Sequence, residues 1–169
     1  MLGGMSNDGN GLAITRGAMD DAEQLVALYH SMIGTPGCTW SKVYPSMENV
    51  EWDVENGALW VMRDGSAVVG AVSVGNLGDV CDLGWAPKHP AELARLAVSQ
   101  EYQGRGLANR LVAHAIAVAR EAGHDGVVLL VSPGNIKAQH LYQKFGFQPD
   151  GEIFAWDHQW LRNQLPFAQ

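Results

Sequence analysis

Cysteine is scarce in this chain: Cys38 and Cys81 are the two thiols among 169 residues. Two thiols with no pairing motif exclude a disulfide framework. No Cys/His cluster has metal-ligand spacing, so no metal is expected. Free thiols suit a reducing compartment, and a cytoplasmic location is the expectation. Positive charge is also sparse. Eleven Lys and Arg against eighteen Asp and Glu leave a formal charge of −7. That balance argues against nucleic acid as a partner, because phosphate neutralisation needs basic residues. It is compatible with attracting a cationic amine. No apolar run reaches the length of a membrane span, and no secretory signal is visible, so no membrane partner is expected. Residues 1–11 are polar and glycine-rich, and read as a flexible leader. Residues 12–169 then form a single domain of ordinary globular composition, 47% hydrophobic and 17% charged.

The pattern within that domain alternates between periods. Leu12 to Arg16 reads as a strand. Met19 to Met32 reads as a helix, with Leu25, Leu28, Tyr29 and Met32 on one side and acidic residues at its start. A loop over 34–45 precedes a second helix that starts after Ser46 and stops near Gly57. Two apolar runs flanking Asp64-Gly65 predict a hairpin. A turn-rich connection over 76–90 leads to a strand from Glu92 to Val98. A helix to about Ala122, a strand over 127–131, a helix over 135–145 and a hairpin around Asp150-Gly151 complete the order.

The most informative stretch joins the strand ending at Val98 to the long helix after it. Gln103-Gly104-Arg105-Gly106-Leu107-Ala108 is a glycine-bearing loop that opens a helix. Helix-initial N–H groups lack intrahelical partners and carry partial positive charge, and glycine lets an anion approach them. The loop therefore reads as a pyrophosphate cradle. It is not a dinucleotide fingerprint, because the third glycine is missing, nor a P-loop, because Gly-Lys-Ser/Thr is absent. Its Q-x-x-G-x-G/A form, followed by Asn135-Ile136-Lys137-Ala138-Gln139-His140-Leu141-Tyr142-Gln143-Lys144-Phe145-Gly146-Phe147 as N-x-x-A-x-x-L-Y-x-K-x-G-F, resembles the GNAT superfamily of acyl-CoA-dependent N-acyltransferases. The resemblance covers roughly residues 12 to 160.

The resemblance implies a single α/β domain. Its sheet is mixed and mostly antiparallel, carries one splayed parallel strand pair, and is flanked by helices. It implies acetyl-CoA as the acyl donor, bound by Leu96, Ala97 and Val98 on the strand. Gln103, Gly104, Arg105, Gly106, Leu107, Ala108 and Asn109 would follow at the cradle, with Asn135, Ala138 and Tyr142 on the helix beyond. Leu96 and Val98 would offer main-chain amides to the thioester carbonyl and pantetheine. Tyr142 holds the family's tyrosine position, and a phenol is protonated at neutral pH and able to donate to the leaving thiolate. Glu92 is the candidate base, as some family members carry a glutamate there. Alternation counted back from Val98 puts it on the face of Ala94 and Leu96, where partial desolvation would raise its pKa. His114 and His124 read as structural and His140 as outward-facing, whereas His89 and His158 lie within reach of the substrate mouth. The implied acceptor is a small-molecule or protein amine. A homodimer is an option that the superfamily often takes. The competing class is a non-catalytic acyl-CoA-binding sensor.

Overall fold

The structure, a computed structural model, describes residues 6–7 and 12–168. Twelve elements follow one another: β1 (Ser6–Asn7), β2 (Leu12–Arg16), α1 (Ala22–Ser31), α2 (Met47–Glu55), β3 (Leu59–Asp64), β4 (Ala67–Gly75), β5 (Ala91–Val98), α3 (Leu107–Glu121), β6 (Gly126–Val131), α4 (Ile136–Lys144), β7 (Gln148–Ala155) and β8 (His158–Pro166). The strands form one sheet in the order β1-β2-β3-β4-β5-β6-β8-β7. Every neighbouring pair is antiparallel except β5 and β6, which run parallel. This is the expected mixed α/β domain. Of the proposed leader, residues 1–5 and 8–11 lie outside the described residues. Ser6–Asn7 instead pairs with Ile14 and Ala13 and adds an edge to the sheet.

Each face of the sheet has its own helices, and strand alternation sorts the side chains between them. Leu111, Val112 and Ala115 of α3 bury against Ile14, Trp60, Met62 and Val72 on one face, with Tyr142 and Phe147 beside them. Leu25, Leu28 and Tyr29 of α1 and Val50 of α2 bury against Leu59, Val61 and Ala71 on the other. Local signals start the helices as the sequence indicates. The Ser46 amide donates to Asn49 Oδ1 at 2.9 Å ahead of α2, and Asn135 Oδ1 accepts the Ala138 amide at 3.1 Å ahead of α4. The first helix is shorter than its periodicity predicts, because residues 19–21 form a tighter turn. There Asp21 accepts the Ala18 amide and is gripped by Arg63 at 2.7 and 2.8 Å.

Two expectations are corrected. The last hairpin does not turn at Asp150-Gly151. It turns at Trp156-Asp157, two residues with φ of +50° and +62° that supply the twist of a two-residue hairpin loop without glycine. Gly151, at φ +83°, lies inside β7 at a register break between Pro149 and Glu152, and Asp150 is held by Arg162 of β8 at 2.9 Å. Asp-Gly there marks a bulge, not a turn.

Strand β5 also departs from expectation. Ser73 of β4 pairs with Ala94 and Ala71 with Ala97, so an extra residue sits in β5 between them. Arg95, at φ +50°, is at this bulge. Leu96 consequently packs with Leu93 and Val98 on the α3 face, while Glu92 stays with Ala94 on the α2 face, and simple alternation fails.

Candidate active-site groove

Pairing between β5 and β6 is confined to Ala91–Val127 and Glu92–Val128. Beyond Glu92 the two strands diverge, since β5 continues along β4 and β6 along β8. The Ser99 amide donates to Val69 of β4 at 2.8 Å. With the Ser99 amide on β4, alternation puts the Val98 amide on the opposite edge of the strand, toward the gap. On that side the Val98 carbonyl accepts the Gln103 side-chain amide at 3.0 Å. A groove of about 930 Å³ fills the gap. Leu96, Ala97 and Val98 line one wall, and Leu130, Val131, Asn135, Ala138 and Tyr142 line the other. Met32 and the segment from Thr35 to Trp40 also line it.

At one end the groove meets the start of α3. Gly106 precedes the helix at φ +75°, ψ +17°, with no side-chain cap. The first turn-forming donor is the Arg110 amide, which reaches the Gly106 carbonyl at 3.3 Å. The Leu107, Ala108 and Asn109 amides ahead of it are the helix-initial donors that have no intrahelical acceptor. A Cβ at Gly104 would meet nothing within 4 Å, and one at Gly106 only Asn109 Nδ2 at 4.0 Å. Glycine here leaves an open cradle in front of positive helix-end amides, the setting that suits a diphosphate.

Side chains hold the cradle in place. Gln103, besides its bond to Val98, accepts Lys137 Nζ at 3.3 Å. That contact ties the loop to α4. Lys137 lines the groove and is a cation that sequence reasoning missed, although its place in the first turn after Asn135 was visible. Arg105 does not line the groove; its guanidinium lies 4.8 Å from the Tyr102 ring centroid.

Two titratable groups near this region hold their protons more tightly than usual. Tyr142 is 7% exposed and packs edge-on to Phe147 at 5.6 Å. Burial pushes its phenol above the ordinary range, so its proton is held firmly at neutral pH. Glu92 is half-buried, and burial pushes its carboxyl up to about 7; Asp53 adds to the rise and Arg95 opposes it. The structure does not bring Glu92 and Tyr142 onto one wall. Glu92 lies on the α2 face, outside the groove lining, and next to Cys81, whose thiol is raised by burial first and then by the Glu92 charge.

The other sequence candidates separate clearly. His140 is exposed on α4, as expected, and reaches the lining of the groove. His89 and His124 meet at a second, smaller cavity of about 140 Å³ with Cys81 and Asp82. His158 packs edge-on to Trp160 at 5.7 Å. His114 is buried against Trp60 at 4.5 Å, a packing role as expected. Trp40 lines the groove and packs on Tyr29 at 5.4 Å. Trp85 is buried and donates to the Val80 carbonyl at 2.6 Å. Among the described residues no group of three or more His, Cys, Asp or Glu side chains is arranged to hold a metal ion, and no helix is long and apolar enough to cross a membrane.

Residues 25–147 match the family described as Acetyltransferase (GNAT) family. The chain is 33% identical over 100 residues to rat N-acetyltransferase family 8 member 2, a match covering 59% of this chain and 42% of that protein. It is 34% identical over 108 residues to mouse N-acetyltransferase 8, covering 64% and 46% respectively. It spans less than half the length of these relatives. Among solved structures, an N-acetyltransferase from Staphylococcus aureus Mu50 superposes with a TM-score of 0.75 at 19% identity, over 95% of this chain and 99% of that one. A putative acetyltransferase from Salmonella typhimurium, solved with its cofactor acetyl-CoA, superposes at 0.73 and 19% identity, over 97% and 96%. At these identities the two superpositions speak for the fold.

Proposed function

Because the chain belongs to the GNAT acetyltransferase family, we propose that it transfers an acetyl group from acetyl-CoA to a primary amine by direct attack in a ternary complex. The observation that carries this reading is the parallel pair that stops pairing after Glu92 and opens onto the uncapped start of α3. Residues 12–169 act as one catalytic domain, and the acceptor is a small-molecule amine or a protein amine. Acetyl-CoA is a substrate, already activated as a thioester, so the chain needs no covalent intermediate of its own. The amides of Gly104 to Asn109 bind the diphosphate. The Leu96 and Val98 amides donate to the thioester carbonyl oxygen as negative charge grows there, an effect worth about 10²–10³ in rate per donor. Asn135 and Ala138 shape the facing wall. The amine nitrogen forms the new C–N bond, the C–S bond breaks, and one proton leaves the nitrogen while another reaches the thiolate. Tyr142 gives the second proton. Glu92 takes the first through water, since it stands off the groove lining.

Calorimetric titration with coenzyme A, alongside thiol release from acetyl-CoA over a panel of amines, tests the reading. Binding in the micromolar range with amine-dependent release is expected. Binding without release over any amine would leave a sensor of acyl-CoA, and no binding would end both readings.

The role of Glu92 predicts a pH dependence. The carboxylate is the base, so kcat at saturating acceptor should rise as pH passes through about 7. Glu92→Gln should lower kcat and remove that limb. Stability moves the other way. A carboxyl at about 7 in the fold, against about 4.3 when unfolded, binds more protons in the native state over that interval, so stability falls as pH rises from about 4 to 7. Melting of Glu92→Gln between pH 5 and 8 should lack this decline. An unchanged rate limb in the variant would assign the base to another group.

A further inference from the structure

On the sheet face away from α3, β5 carries a buried charge at its most distorted residue. Arg95 adopts φ +50° at the bulge, a conformation that a non-glycine residue keeps only when its surroundings over-determine it. Its side chain is 8% exposed and that of Asp53, on α2, is 0% exposed. The guanidinium meets the carboxylate with both prongs, Nε donating to Oδ2 at 2.8 Å and Nη2 to Oδ1 at 2.5 Å. Ser73 Oγ of β4 donates to Asp53 Oδ2 at 2.6 Å. Arg95 Nη1 donates to the Tyr44 hydroxyl at 3.0 Å. Burial works against the charge on Arg95, but the Asp53 carboxylate outweighs it. One ion pair thus ties four pieces together: the extra residue of β5, α2, the central strand β4 and the loop between α1 and α2.

Stability alone does not call for such a pair. Well-packed apolar residues of similar volume usually hold a core as well as a buried salt bridge or better. What the pair supplies is direction. A bidentate fork fixes the plane of the guanidinium and with it the backbone to which it is attached. The residue it fixes is the one that sets the phase of every amide after it: without the insertion at Arg95, Leu96 would face α2. We propose that the Arg95–Asp53 pair is a positioning device. It clamps the β5 bulge so that the Leu96 and Val98 amides point into the gap between β5 and β6, and through Tyr44 it ties the loop between α1 and α2 to the same point. The proposal rests on the acyltransferase reading, in which those amides receive the thioester carbonyl.

The test uses Arg95→Lys, which keeps the charge and loses the fork, and the double variant Arg95→Met/Asp53→Leu, which replaces the pair with apolar side chains and should fold even if a single change does not. Four quantities are measured: melting temperature, coenzyme A affinity by calorimetry, kcat and KM for thiol release, and hydrogen exchange at residues 94–98. Both variants should still bind coenzyme A, with a loss of affinity smaller than the loss in kcat, because the diphosphate cradle at Gly104 to Asn109 is untouched even though Arg95 lines the groove. Their kcat should fall between about ten- and a hundredfold, the scale on which misplacement of a reacting group acts. Exchange at 94–98 should quicken at least tenfold. A folded double variant with wild-type kcat and wild-type exchange overturns the proposal. A wild-type chain that neither binds coenzyme A nor releases thiol would overturn the acyltransferase reading instead, while the exchange comparison would still decide whether the pair clamps the bulge.

Discussion

Gly106→Val is expected to weaken coenzyme A binding by about a hundredfold while the domain stays folded. Gly106 holds φ +75° at the entrance to α3, where an L side chain costs roughly 1–2 kcal/mol. That cost falls on stability. The loss of affinity has a different origin. The space a side chain would enter is open, with only Asn109 Nδ2 at 4.0 Å, and it lies in front of the Leu107, Ala108 and Asn109 amides. A diphosphate displaced from that space gives up hydrogen bonds to a charged acceptor, worth about 1.5–3 kcal/mol each. Losing the equivalent of two weak ones is about 3 kcal/mol, or roughly a hundredfold in dissociation constant. Gly123 provides the control. It lies just past the other end of α3 at φ +89°, and a Cβ there would likewise meet nothing within 4 Å. Gly123→Val should lower the melting temperature by a similar amount and leave coenzyme A affinity unchanged. Equal affinities for wild type and Gly106→Val by calorimetry would remove the cradle from the site.

The cradle was legible because its chemistry is local. A strand, a polar turn, two glycines and a helix start define a shape within a dozen residues, and the proposed contacts are made by the backbone itself. The facing helix was legible for the same reason: Asn135, Ala138 and Tyr142 occupy fixed positions on one short element. The β5 bulge was not. Glu92-Leu93-Ala94-Arg95-Leu96-Ala97-Val98 gives no local sign of a break in period two, and no residue in it demands an insertion; Arg95 holds φ +50° while paired with Asp53, 42 residues away. A charged residue inside an otherwise apolar run was the available signal: it requires a buried partner, and Asp53 on the buried side of α2 is such a residue. The misplaced last hairpin has the opposite cause. Asp150-Gly151 carries a strong local turn signal, but pairing of Arg162 with Asp150 across the strands extends the ladder past it, and the turn falls on Trp156-Asp157, residues with no glycine to announce them. There long-range pairing overrode a local preference.

Tyr142→Phe should lower kcat by about 10²-fold or more, the range for a positioned general acid, with coenzyme A affinity and melting temperature close to wild type. The change deletes a single oxygen from a ring that is 7% exposed and braced edge-on by Phe147 at 5.6 Å, so packing is conserved and the effect reads on chemistry. The direction of the pKa shift fixes the pH behaviour. Burial raises the phenol above its usual value near 10, so the proton donor stays loaded across neutral and mildly alkaline pH, and wild-type kcat should show no loss from this group there. The variant can be questioned further through the leaving group. If Tyr142 protonates the departing thiolate, its loss matters most for a thiol of ordinary basicity. An acetyl thioester whose thiol is several pKa units more acidic leaves without that proton, and the gap between wild type and Tyr142→Phe should narrow from about a hundredfold to a few fold. A defect of the same size with both donors would make Tyr142 a positioning residue for the thioester, and a variant with kcat within about twofold of wild type would make it a core aromatic alone.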